Sequence, residues 1–182
     1  MRTCTDAMPR FHHAPGCGCT ARPGRRAVLG LLAAAGIARG AAAGSGQYEA
    51  MLLNCIDPRF TTGSFLFMSS HGLRDRYSQF TIAGGPIGVV HPRFASWHQA
   101  FWDNLGVTVQ LHGIRQVMAM THRDCGAAKL AFGDAAVATR AQETATHAEA
   151  LTAFRAEAAR RQPELQVVTA IMDLDGTIQR VG

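Results

Sequence analysis

Three apolar runs limit what this chain can fold into more than any other feature. Residues 51–55, 114–121 and 165–172 are strand-length stretches dominated by Leu, Ile, Val, Met and Ala. Such near-continuous runs suit strands covered on both faces, as in a parallel sheet, rather than strands with one wet face. Between them lie helix-forming stretches. Residues 65–69 suit a short helix, and residues 94–105 space Phe94, Trp97, Phe101, Trp102 and Leu105 along one helical face as core. Residues 126–130 start another helix, and residues 139–161, rich in Ala, Glu and Arg, predict a long one that Pro163 ends. Residues 79–83 read as a further strand, broken by Gly84-Gly85-Pro86, where two glycines let the backbone pass close to a neighbour. Asp173-Leu174-Asp175-Gly176 turns the chain into a closing edge strand over residues 177–181. The expected fold is α/β: a mostly parallel central sheet flanked by helices, with a C-terminal edge hairpin.

Length and charge narrow the function classes. At 182 residues the chain is one core-forming domain plus a leader. The net charge of +5 belongs to the leader: six arginines precede residue 44 against one acid, and twelve basic side chains face twelve acidic ones from Gly44 onward. A domain without a basic excess gives no support to nucleic-acid binding. Arg25-Arg26, the uncharged Ala/Leu/Gly run that follows, and Ala41-Ala42-Ala43 form the layout of an export signal. The paired arginines resemble a twin-arginine signal, although Gly24 and Val28 replace the usual hydroxyl residue and phenylalanine. Residues 1–43 are therefore expected to engage twin-arginine or general export machinery and to be cleaved, leaving domain 44–182 in the bacterial periplasm. Cys4, Cys17 and Cys19 lie in this leader, without strands or helices to fix them as ligands.

Removing the leader leaves two cysteines, Cys55 and Cys125, each at the end of an apolar run. Cys55 opens Cys-x-Asp-x-Arg with Asp57 and Arg59; Cys125 closes His-x-x-Cys-Gly with His122. Two thiolates and one imidazole are ordinary zinc ligands, and three protein ligands leave a fourth tetrahedral position open. Ligands of open α/β sheets bind beyond the carboxyl ends of strands, where both motifs stand. A zinc-bound water has its pKa lowered to about 7, which generates hydroxide at neutral pH. Asp57, fixed by Arg59, is placed to accept a hydrogen bond from that water and orient it. A disulfide between Cys55 and Cys125 is the competing reading in an oxidising compartment.

A second motif is a decoy. Asp173-Leu174-Asp175-Gly176-Thr177 after an apolar strand matches the signature of haloacid-dehalogenase-like phosphatases. That chemistry needs lysine and acidic residues downstream, and five residues follow Thr177. Asp175-Gly176 reads instead as the hairpin turn.

Cys55, Asp57 and Arg59, then Ala83-Gly84, then His122, Cys125 and Gly126 stand in an order that resembles the β-class carbonic anhydrases. The resemblance covers about residues 51–181. It implies a zinc lyase that interconverts carbon dioxide and bicarbonate, with one Zn2+ per chain held by Cys55, His122 and Cys125. It also implies Asp57 and Arg59 as catalytic residues and a homodimer or higher homo-oligomer. Departures from the family pattern are Pro58 in place of a serine, Thr81-Ile82 in place of Arg-Asn, and a short segment before Met51 where the family carries N-terminal helices. The alternatives are a related zinc hydrolase of carbonyl sulfide or carbon disulfide, and a non-catalytic exported protein that binds zinc or pairs its two cysteines.

Overall fold

The computed structural model describes residues 48–182; the leader, with its expected cleavage site and three cysteines, lies outside the described residues. Five strands form one sheet: β1 (Ala50–Asn54), β2 (Tyr77–Thr81), β3 (Gln116–His122), β4 (Gln166–Met172) and β5 (Ile178–Arg180). Their spatial order is β2-β1-β3-β4-β5. The first four run parallel, and β5 pairs antiparallel with β4 through Ala170–Arg180, Ile171–Gln179 and Met172–Ile178. The fold is thus the α/β class expected, with the closing hairpin in place.

The apolar runs are continuous because both faces of the central strands are covered. Every residue of β1 is buried. Met51 and Leu53 of β1, with Val117 and Ala119 of β3 and Ile171 of β4, face one core. That core is completed by Phe101, Trp102 and Leu105 of α3 (Ala95–His112) and by Leu151, Phe154 and Ala158 of α5 (Arg140–Arg161). Ala50 and Leu52, with Met118 and Met120, face a second core closed by Phe60 and by Met68 of α1 (Thr61–Ser70). The period-2 alternation of a strand thus divides one apolar run between two helical layers. Phe101 contacts Phe80 edge-on at 5.3 Å, and Trp102 stacks on Phe154 at 5.5 Å, which locks α3 to α5.

Several boundaries differ from the sequence reading. The second strand spans residues 77–81 rather than 79–83, because the chain turns after Ile82, whose carbonyl accepts the Gly85 N–H at 2.8 Å. A short helix, α2 (Pro86–Val90), follows Gly84-Gly85 where no helical period is visible; proline occupies its first turn, where no N–H is needed. Helix α3 runs on to His112 and stops at Gly113 in the left-handed conformation. Trp97 is not core: it is 36% exposed and lies flat on Phe94 at 4.6 Å. No helix among the described residues is long and apolar enough to cross a membrane.

Candidate metal centre

Strand β1 lies between β2 and β3, so the chain leaves β1 toward one side of the sheet and returns to the other. The crevice between the ends of β1 and β3 is therefore the topological switch point, the place where open α/β sheets bind ligands. Cys55 follows the last residue of β1, His122 is the last residue of β3, and Cys125 precedes α4 (Gly126–Phe132). Parallel pairing of β1 with β3 brings these sequence-distant groups together. The Sγ atoms of Cys55 and Cys125 and a ring nitrogen of His122 all lie within 4.8 Å of one another.

The three groups are shielded from solvent, with 8%, 2% and 3% exposure for Cys55, His122 and Cys125. Both cysteines are free thiols. His122 Nδ1 sits 2.8 Å from the Arg123 carbonyl, which accepts a hydrogen bond from Nδ1–H and leaves a lone pair on Nε2 in the neutral ring. That Nε2 is buried and has no hydrogen-bond partner among the described residues. Phe60 stacks over the imidazole at 4.1 Å and fixes its plane. An orphaned buried acceptor beside two thiols is costly unless something fills it. Tetrahedral zinc holds sulfur and nitrogen donors at about 2.3 and 2.0 Å, so its ligand atoms stand roughly 3.5–4 Å apart, within the spread seen here. The residues fit zinc.

Backbone donors prepare the site for anionic sulfur. The Gly84 N–H donates to Cys55 Sγ at 3.2 Å. The neighbouring Cys125 thiol, then the nearby His122 and the backbone of Asp57 and Gly84, draw the Cys55 pKa down to about 4 against the opposing effect of burial. Cys125 is pushed up by the neighbouring Cys55 thiolate and by burial, so the pair shares one proton. Burial opposes a charge on His122, but the Cys55 thiolate beside it and the bond to the Arg123 backbone outweigh that and raise its pKa. A bound cation replaces these protons, because thiolate and neutral imidazole are the ligand forms.

Asp57 caps the short 3-10 turn Pro58–Phe60, accepting the Arg59 N–H at 3.0 Å. Pro58, the departure in this motif, sits in that turn's first position, where its fixed φ is compatible. The Arg59 guanidinium grips the same carboxylate: Nε donates to Oδ1 at 3.0 Å and Nη2 to Oδ2 at 2.7 Å. The Arg59 hydrogen bond holds the Asp57 carboxyl down at about 2.

Residues that carried no motif signal complete the surroundings. Asn54, buried at the end of β1, accepts from Gln79 Nε2 and Thr81 Oγ1, both at 3.1 Å, and donates to Ser64 Oγ at 3.3 Å. Thr81, at a departure point of the sequence pattern, thus ties β2 to β1 beside the site. Gly84 and Gly85 carry φ of 77° and 53°. A Cβ on Gly85 would stand 3.0 Å from the Asn54 carbonyl carbon and 3.0 Å from the Met120 oxygen, so the close approach read from the two glycines is real. Glu143 of α5 accepts the Asp124 N–H at 2.6 Å and pairs with the buried Arg123 at 3.4 Å, fixing the loop between His122 and Cys125.

No protein-family model matches the chain. Over 135 residues it is 29% identical to an uncharacterized protein of Rickettsia conorii, an alignment that covers 74% of this chain and 73% of that one. A second uncharacterized protein, from Rickettsia bellii, is also 29% identical over 135 residues, covering 74% and 82% of the two chains. Among solved structures, β-carbonic anhydrase isoform I of Trichomonas vaginalis superposes with a TM-score of 0.51 at 13% identity, over 75% of this chain and 84% of that one. A mutant of the β-carbonic anhydrase CafD of Aspergillus fumigatus gives 0.50 at 14% identity, over 74% and 89%. Likeness at these identities shows a shared fold.

Proposed function

We propose that this protein catalyses the reversible hydration of carbon dioxide to bicarbonate with one zinc ion held by Cys55, His122 and Cys125. The observation that carries this reading is the convergence of two buried thiols and an orphaned imidazole nitrogen at the switch point, beside the Asp57–Arg59 pair. When bound, zinc supplies Lewis acidity that lowers the pKa of a coordinated water to about 7.

The protein's own groups supply the rest. Cys55, already drawn toward thiolate, and His122 in its neutral form would offer electron pairs to the ion, and Cys125 would give up the shared proton. With its carboxyl held at about 2, Asp57 is an acceptor throughout the neutral range and cannot itself donate. It takes a hydrogen bond from the attacking water and turns a lone pair toward the carbon. The Arg59 hydrogen bonds to both Asp57 oxygens keep that carboxylate oriented. Phe60 excludes bulk water from the imidazole side.

Metal analysis with a thiol count tests the assignment: one zinc per chain and no disulfide supports it, and a metal-free disulfide rejects it. Assays with carbonyl sulfide and carbon disulfide beside carbon dioxide separate this reading from a related zinc hydrolase. The export reading of residues 1–43 belongs to the same proposal, and the N-terminal sequence of the mature protein tests it. Exposed Ile56, Phe65, Leu66 and Leu174 favour association with a second copy, which sedimentation equilibrium decides.

A further inference from the structure

Beyond the two motif residues, the Asp57–Arg59 pair has a third member on the other strand end. Asp124 lies between His122 and Cys125 and takes a left-handed backbone conformation, φ 54°, which aspartate tolerates better than most residues. Its N–H is held by Glu143 Oε1 at 2.6 Å, and Glu143 is anchored in turn by the buried Arg123. The Asp124 backbone is therefore fixed from α5, and its carboxylate stands in one place. Lys129 Nζ takes one oxygen at 3.0 Å, which leaves the other for Arg59 Nη1, also at 3.0 Å. Arg59 Nη2 reaches the Asp124 carbonyl at 3.2 Å as well.

Magnitudes show why this matters. The Arg59 side chain is 48% exposed, and an isolated exposed ion pair contributes too little to hold so flexible a side chain in one geometry. A planar guanidinium engaged on Asp57 by Nε and Nη2, and on Asp124 by Nη1 and Nη2, has lost that freedom at both ends. We infer that Asp124, steadied by Lys129 and Glu143, is a positioning residue that keeps Arg59 seated on Asp57. Its carboxylate bonds Arg59 and Lys129 rather than the side chains of Cys55, His122 or Cys125, so it acts through Arg59. The inference rests on the reading of Asp57 and Arg59 as the water-orienting pair.

The test uses the full-length chain with Asp124→Gly, Asp124→Asn and Asp57→Asn. Glycine keeps the left-handed backbone without strain and removes the carboxylate; asparagine keeps the shape and removes the charge, and serves if glycine impairs folding. In the metal-free protein, proton–nitrogen NMR of the Arg59 Nε–H reads the clamp without any activity. The wild type gives a slowly exchanging signal, and both Asp124 variants lose it. In the zinc-loaded protein, Asp124→Asn lowers kcat by about tenfold with little change in KM, and adds no further loss in an Asp57→Asn background. An Arg59 signal unchanged by either Asp124 variant overturns the inference, as do losses that multiply in the double variant. A zinc-loaded protein without hydration activity instead rejects the proposed reaction, and the metal-free NMR result still decides the role of Asp124.

Discussion

Gly85→Ala is the substitution whose cost the structure specifies most fully. Gly85 has φ 53° and ψ −116°, the backbone of the first central position of a type II′ turn, which glycine dominates. An alanine forced there carries strain of about 1–3 kcal/mol. Its Cβ also meets the Asn54 carbonyl carbon and the Met120 oxygen at 3.0 Å; both are backbone atoms at the ends of paired strands and have little room to move. Overpacking of that kind adds about 1–3 kcal/mol. Gly113→Ala is the control: φ 63°, ψ 30°, with nothing within 4 Å of the added Cβ. The left-handed conformation costs alanine about 1–2 kcal/mol, and reduced freedom of the unfolded chain returns about 0.4–1 kcal/mol. That return is common to both substitutions and cancels, so urea unfolding of the metal-free chains should place Gly85→Ala about 1–4 kcal/mol below Gly113→Ala. Because the Gly84 N–H bonds Cys55, Gly85→Ala should also weaken zinc binding by about tenfold in a chelator competition. Equal destabilisation by the two substitutions, or unchanged zinc affinity, would refute the close approach of this loop to the strand ends.

Three further outcomes follow from the same structure. Arg59→Ala should retain one zinc per chain by metal analysis yet lose at least about tenfold in hydration rate; loss of zinc with activity would reassign Arg59 to metal retention. His147, fully buried, has its pKa pushed down to about 4 by burial and by the nearby His122 and Arg123. Glu143 stands 3.9 Å away with its oxygens engaged by Arg123 and the Asp124 N–H, so it does not compensate. The unfolded chain takes up this proton first, so stability is complete above the ordinary value of 6.5 and falls as pH drops toward 4, by about 3 kcal/mol. His147→Leu should remove that part of the pH dependence in metal-free unfolding curves; parallel curves for the two proteins would contradict it. Phe154→Ala, deleting a fully buried ring between Phe101 and Trp102, should cost about 3–5 kcal/mol in urea unfolding, and a loss under 1 kcal/mol would mean that the α3–α5 core is not packed as described.

How much of this could be read beforehand depended on the range of the interaction. The buried strands were legible because a strand covered on both faces has to be apolar at nearly every position, and β1, β3 and β4 are. Cys55, His122 and Cys125 could be grouped because strand ends of one parallel sheet share an edge. Helix α2 left no period to find: it is five residues long, with a proline and a glycine. Trp97 followed the aromatic spacing of α3, but it lies in that helix's first turn, where stacking on Phe94 replaces burial. Asp124, Glu143 and Asn54 carried no signal because their partners lie 65, 19 and 25 residues away. Such contacts are set by how α5, β2 and the two strand ends pack, not by local spacing. Arg59–Asp57 was legible for the opposite reason: two residues apart in a capped turn, the pair is local.

The thiol and imidazole groups at the switch point are proposed to hold a zinc ion that serves carbon dioxide hydration. Stopped-flow hydration with the full-length, zinc-loaded chain, against Cys125→Ser and against protein stripped of metal, tests it most directly. The expected result is a rate well above buffer in the zinc-loaded wild type, absent after stripping, restored by zinc, and absent in Cys125→Ser. A zinc-loaded wild type, one ion per chain, that hydrates carbon dioxide no faster than buffer would contradict it.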